Sequence, residues 1–148
     1  MTFLVERLAD LRRHIDHLKE IRPRVHDAAL LETDLSLHSD VLFSLLVVCQ
    51  AVIDIAGELA GRQGIRFQDY TEAIRALRQV KGMPLELIEA LLPLPGFRNV
   101  LIHAYVGRDY TRVLEALSSL EAVENFARAV AELEAAGQEH QEDRDRHP

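Results

Sequence analysis

Apolar residues recur along this chain at steps of three and four, the spacing that lines one face of an α-helix, and no segment alternates as a half-buried strand requires. Leu4, Leu8, Leu11, Ile15 and Leu18 form one stripe with charged residues on the other faces, which predicts a first helix that Pro23 ends or kinks. Two adjacent stripes follow, Leu37/Val41/Leu45/Val48/Val52/Ile55/Leu59 and Leu42/Leu46/Cys49/Ile53/Ala56/Ala60. A helix apolar over that much of its circumference packs on several sides, so this is the expected central helix, with Asp34 or Ser36 as N-cap and Gly61 as stop. Asp69-Tyr70-Thr71-Glu72 has capping-box spacing and opens a short third helix ending at Gly82. Pro84 suits the first turn of a fourth, which kinks at Leu92-Pro93-Leu94-Pro95 and resumes from Gly96 to His103. A single fifth helix is expected from about Tyr110 to Leu133. From Gly137 the chain is polar throughout and reads as a disordered C-terminal tail, residues 137–148, behind one helical domain over 1–136. The fold class is all-α, an antiparallel four- to five-helix bundle.

Composition narrows the function classes. A chain of 148 residues, 48% hydrophobic, can bury a core without disulfides or structural metal. Its one cysteine, Cys49, lies in an apolar run, forms no internal bridge and excludes a cysteine metal finger; it points to a reducing compartment. The stretch Val41 to Ile53 is interrupted by Ser44 and Gln50 and reads as too short to cross a bilayer. Glu6, Arg7 and Asp10 leave no signal-peptide hydrophobic region at the N-terminus. The expectation is a cytoplasmic protein with no membrane partner. No phosphate-binding glycine loop is present, and no cofactor is expected. His14 and His17 are three apart with no third ligand, so they read as a solvated face and no metal site is expected.

The net charge of −7 argues at first against a nucleic-acid partner, but it conceals a pattern. Residues 1–60 carry 6 basic and 10 acidic groups, residues 61–114 carry 8 and 5, and residues 115–148 carry 3 and 9. The middle segment is locally basic, and Arg62, Arg66, Arg75, Arg78 and Lys81 are candidates for an RNA-approach surface or for an ordinary exposed face.

That segment also holds Phe97-Arg98-Asn99-Val100-Leu101-Ile102-His103-Ala104-Tyr105, followed by Asp109. On a helix Asn99 and His103 share a face, while Arg98 and His103 lie about 140° apart, so a composite site between two protomers brings them together most simply. Arginine with histidine suffices for metal-free cleavage of an RNA phosphodiester. Imidazole moves a proton near neutral pH, and a guanidinium stabilises charge on phosphoryl oxygens. Asp54, a carboxylate inside an apolar helix, needs a partner: it orients Arg98 or Tyr105, or it bridges to an arginine of a neighbouring helix. Asp109 reads as the N-cap of the fifth helix or as a member of the site.

The order Arg, four residues, His, one residue, Tyr closely resembles the signature of the HepT-like toxins of the HEPN superfamily. Ala51-Val52-Ile53-Asp54-Ile55-Ala56 and Phe67-Gln68-Asp69-Tyr70 also stand at family-like positions, and the resemblance covers roughly residues 1–133. It implies a five-helix HEPN domain that forms a homodimer and acts on RNA as a metal-independent endoribonuclease toxin. Arg98 and His103 would be catalytic, with Asn99, Tyr105, Asp54 and Asp109 supporting them. It further implies a minimal nucleotidyltransferase (MntA-like) antitoxin that neutralises the toxin by converting Tyr105 to O-AMP-tyrosine. The alternative from another class is a non-catalytic helical partner or substrate-binding subunit of a nucleotidyltransferase. Two departures stand out. Where the family often has a Glu-Arg pair and a Gln, this chain reads Leu42-Phe43-Ser44-Leu45-Leu46, which predicts few polar contacts from the central helix. Pro93 and Pro95 stand just before the motif and bear on the tilt of Arg98.

Overall fold

The structure, a computed structural model, describes residues 3–107 and 110–147, of which 104–107 are described by backbone only. Among the described residues eight α-helices follow in order: α1 (Phe3–Ile21), α2 (Ala28–Thr33), α3 (Leu35–Arg62), α4 (Tyr70–Arg75), α5 (Leu85–Leu91), α6 (Leu94–Gly107), α7 (Thr111–Ser118) and α8 (Glu121–Arg146). Single 3-10 turns occupy Arg22–Arg24 and Ala76–Gln79, and there is no strand among the described residues.

The stripes read from the sequence face inward. Every member of the α1 stripe is buried, and so is the whole first stripe of α3; in the second, Leu42 and Leu46 are half-buried and the rest buried. α3 is the central helix, in contact with α1, α2, α4, α6 and α8. It runs antiparallel to α1, as shown by His14 opposite Ser44 and His17 opposite Asp40. By length and composition α3 is long and apolar enough to cross a membrane, contrary to the reading of its interrupted run; the interruptions at Ser44 and Gln50 fall on helix–helix contacts, and its apolar stripes are spent on the core.

Several boundaries differ from the sequence reading, each for a local reason. α2 escapes periodicity because it has only six residues; it exists through its cap, Asp27 Oδ1 accepting from the Leu30 amide at 3.0 Å. Asp34, not Ser36, caps α3, accepting from the Leu37 amide at 3.1 Å. α3 passes through Gly61 and stops at Arg62, and the left-handed turn falls on Gly64, φ +72°. The proline segment makes a break, not a kink. α5 ends at Leu91, and α6 opens at Leu94 with Pro95 in its first turn, where a missing amide hydrogen is harmless. The single fifth helix is two. α7 ends at Ser118, with the Ser119 amide donating to the Ala116 carbonyl at 3.1 Å, and the buried stripe Val113, Leu117, Leu120, Val123 runs across the break, which hid it. α8 then continues through Gly137 to Arg146, where composition predicts a tail. Residues 135–147 are exposed throughout, and strong helix formers with a Gln141–Asp145 bond of 3.3 Å carry the helix.

His14 and His17 are half-buried against α3, not a solvated face. His14 Nδ1 lies 3.1 Å from Ser44 Oγ and His17 Nε2 lies 2.7 Å from Asp40 Oδ1. Desolvation, and then the Arg13 charge, hold the His14 pKa below its ordinary value.

Cys49 is 1% exposed in the heart of the molecule, and burial pushes its thiol up to about 12, against the pull of the Arg98 charge. The sign of the linkage follows. The unfolded thiol ionises near its ordinary value of about 8.5, and the folded one does not, so its contribution is complete below that value and is lost as pH rises toward 12. Urea midpoints measured from pH 8 to 11 are therefore expected to fall more steeply for the wild type than for Cys49→Ala; parallel curves would place the thiol in water.

Candidate active site

Three elements meet at Arg98, in the second turn of α6. Phe97 and Leu101, one turn apart, are buried and fix that helix on the core, so Arg98 emerges half-buried at its flank while Asn99, Ile102 and His103 are exposed. Arg98 Nε donates to Gln50 Oε1 of α3 at 2.7 Å, and Gln50 Nε2 donates to Asp54 Oδ1 at 2.8 Å, one turn further along α3. On another side the guanidinium carbon of Arg98 lies 5.7 Å from the ring centre of Tyr70, a cation–π distance.

The placement of Tyr70 goes back to the capping box. Asp69 Oδ1 accepts from the Glu72 amide at 2.8 Å, and Glu72 Oε2 reaches back to accept from the Gln68 amide at 2.8 Å, one residue earlier than the usual target. These two bonds start α4 at Tyr70, which presents a 44% exposed ring to the motif arginine.

The structure thus links Asp54 to Arg98, through Gln50. The polar contacts from the central helix that the Leu42–Leu46 departure seemed to remove are supplied two turns further on, by Gln50 and Asp54. Arg98 and His103 share α6 without a bond between them among the described residues; their separation around the axis is that of a regular helix. Asn99 and His103 lie one turn apart on the open face. Tyr105 falls within α6 with its side chain outside the described residues, and Asp109 lies outside them altogether.

Gln50 and Tyr70 are the residues that the motif alone misses. Gln50 is visible in the sequence as a polar interruption of an apolar run, four residues before Asp54. Of the basic candidates, Arg62 pairs with Glu134 at 2.6 Å and with Glu58 at 3.8 Å. Arg66, Arg75, Arg78 and Lys81 are exposed.

The fold is shared with a toxin–antitoxin crystal structure containing AMP-PNP (22% identity, TM-score 0.73, covering 86% of this chain and 96% of that one). It is shared equally with a tri-AMPylated HEPN toxin of Shewanella oneidensis in complex with an MNT antitoxin (24% identity, TM-score 0.72, covering 88% and 98%). The family model for ribonuclease HepT-like proteins matches residues 11–130, and the chain belongs to that family. Among curated relatives it is similar to a putative RNase of Archaeoglobus fulgidus, 29% identical over 85 residues, which is 57% of this chain and 64% of the relative's length. It is similar also to the mRNA nuclease HepT of S. oneidensis, 24% identical over 103 residues, 69% of this chain and 75% of the relative.

Proposed function

We propose that this chain is the endoribonuclease toxin of a toxin–antitoxin pair, cutting RNA without metal at a site formed by Arg98 and His103 where two copies meet. The observation that carries the reading is the state of Arg98: a cation held on two sides, on the helix that also carries an exposed His103. In the reaction His103 takes the proton of the ribose 2′-hydroxyl, or gives one to the departing 5′-oxygen, while the 2′-oxygen attacks phosphorus and the 5′-oxygen leaves. Arg98 balances the charge that grows on the phosphoryl oxygens, and Asn99 orients or contacts the phosphate. Neither role calls on a cofactor or a metal ion.

The homodimer is supported by the open face of α6, where a 38% exposed Ile102 stands between Asn99 and His103. A second copy covering that face would bring its own His103 beside the first, giving one histidine as base and one as acid. The basic balance of residues 61–114 suits transient contact with a phosphate backbone.

The antitoxin proposed is an MntA-like nucleotidyltransferase, on the strength of the complexes formed by the fold neighbours. Adding AMP units to Tyr105 would place bulk and negative charge two residues from His103, where RNA phosphates must enter. Expression of the wild-type chain alone is expected to arrest growth and degrade RNA, and co-expression with the antitoxin is expected to relieve arrest and raise the intact mass by one or more AMP units. A mass gain that persists in Tyr105→Phe would refute the assigned acceptor. An inert wild type that still binds its partner tightly would favour the non-catalytic partner instead.

A further inference from the structure

Gln50 is an amide placed between a carboxylate and a cation. Its oxygen accepts from Arg98 Nε at 2.7 Å, and its nitrogen donates to Asp54 Oδ1 at 2.8 Å. An amide can play both parts at once, whereas a carboxylate only accepts and a hydrocarbon does neither. The direction of both bonds also fixes the amide: with Asp54 an acceptor, the nitrogen must face it and the oxygen must face Arg98. Asp54 therefore selects the orientation in which Gln50 can receive the guanidinium.

We infer that Gln50, oriented by Asp54, is a positioning residue for Arg98, and that its neutrality matters as much as its bond. The inference rests on the ribonuclease reading for its purpose, and on the two bonds for its geometry. Three points carry it. The bond to Gln50 uses Nε, so it is not made by the fork of Nη1 and Nη2 that matches two phosphoryl oxygens. It links α3, the most heavily packed helix, to α6, so the arginine is referenced to the rigid centre of the molecule. And it separates Arg98 from Asp54 by a full side chain; a direct ion pair would neutralise the charge that the transition state needs, while the amide passes on the orientation and leaves the charge in place. Tyr70 adds a second contact without removing charge, because an aromatic face attracts a cation through its quadrupole.

Two substitutions separate the bond from the neutrality. Gln50→Leu keeps the volume and removes both bonds, whereas Gln50→Glu keeps an acceptor for Arg98 and adds a negative charge beside Asp54. The first readout is the Arg98 Nε–H resonance in the nitrogen–proton spectrum, identified by its disappearance in Arg98→Lys, and its exchange with solvent. The second is RNA cleavage, divided into kcat and KM. The wild type is expected to show a protected resonance. Gln50→Leu should lose the protection and lower kcat by roughly fivefold to tenfold with KM nearly unchanged. Gln50→Glu should keep the protection and still lower kcat, a combination that a merely structural role does not produce.

An unprotected resonance in an active wild type, or wild-type kcat in Gln50→Leu, would overturn the positioning role. Wild-type kcat in Gln50→Glu would overturn the claim that neutrality matters. A protected resonance in a wild type that cleaves no RNA would overturn the ribonuclease reading and, with it, the purpose assigned to Gln50.

Discussion

Replacing His103 with alanine is expected to lower RNA cleavage by about 10² to 10⁴, with almost no change in stability. The first half follows from the role: a side chain that moves a proton in the transition state contributes that much. The second half follows from the position. His103 is exposed on α6 and has no hydrogen bond among the described residues, so a shift within about 0.5 kcal/mol is expected. The pairing of outcomes is what discriminates. A purely structural His103 predicts lost stability with cleavage unchanged; cleavage within a few fold of wild type in the folded variant would remove His103 from the mechanism.

The largest effect on stability is expected at Phe126. It is 0% exposed and is the largest side chain fully buried in the core. It sits on α8, the helix that closes the bundle by packing on α1, α3 and α5. Phe126→Ala removes the whole ring from a fully buried position, and about 3–5 kcal/mol of destabilisation is expected. That is a large part of the ~5–15 kcal/mol by which a domain is held folded, and at this size it lowers the melting temperature by roughly 10 °C. Denaturant unfolding checks it: the midpoint should fall with an unchanged slope. A loss below about 1 kcal/mol would mean that α8 is not part of the main core.

The two mutations probe different layers of one design. Phe126 belongs to the apolar stripes, and those were legible in the sequence because a helix writes its inward face at intervals of three and four. The stripes of α1 and α3 face inward as read, and the capping box at Asp69–Glu72 opens a helix where it should. What periodicity could not see were interruptions that leave the stripe in phase. Val113, Leu117, Leu120 and Val123 are buried on both sides of the α7–α8 break, so a continuous pattern describes two helices. The reverse holds for α2, too short to display a period and made visible only by Asp27.

The site was legible in part. Arg98, Asn99 and His103 stand on one helix as their spacing implies, with Arg98 turned to α3 and the other two to solvent. The need of Asp54 for a partner was evident from its apolar surroundings, but the partner was not. Asp54 meets Arg98 only through Gln50, and the contact joins residues 48 apart, which no local pattern encodes. Tyr70 is a similar case: the cap that starts its helix is legible in Asp69–Glu72, while the approach of its ring to Arg98 depends on how α4 and α6 both pack on α3.

Metal-free cleavage of RNA by Arg98 and His103 is tested by following defined RNA with purified wild-type chain and folded Arg98→Ala in excess chelator. Cleavage by the wild type that chelator leaves untouched is expected, with a loss of about 10² or more in the variant. Equal cleavage by both, or cleavage that chelator abolishes, would contradict it.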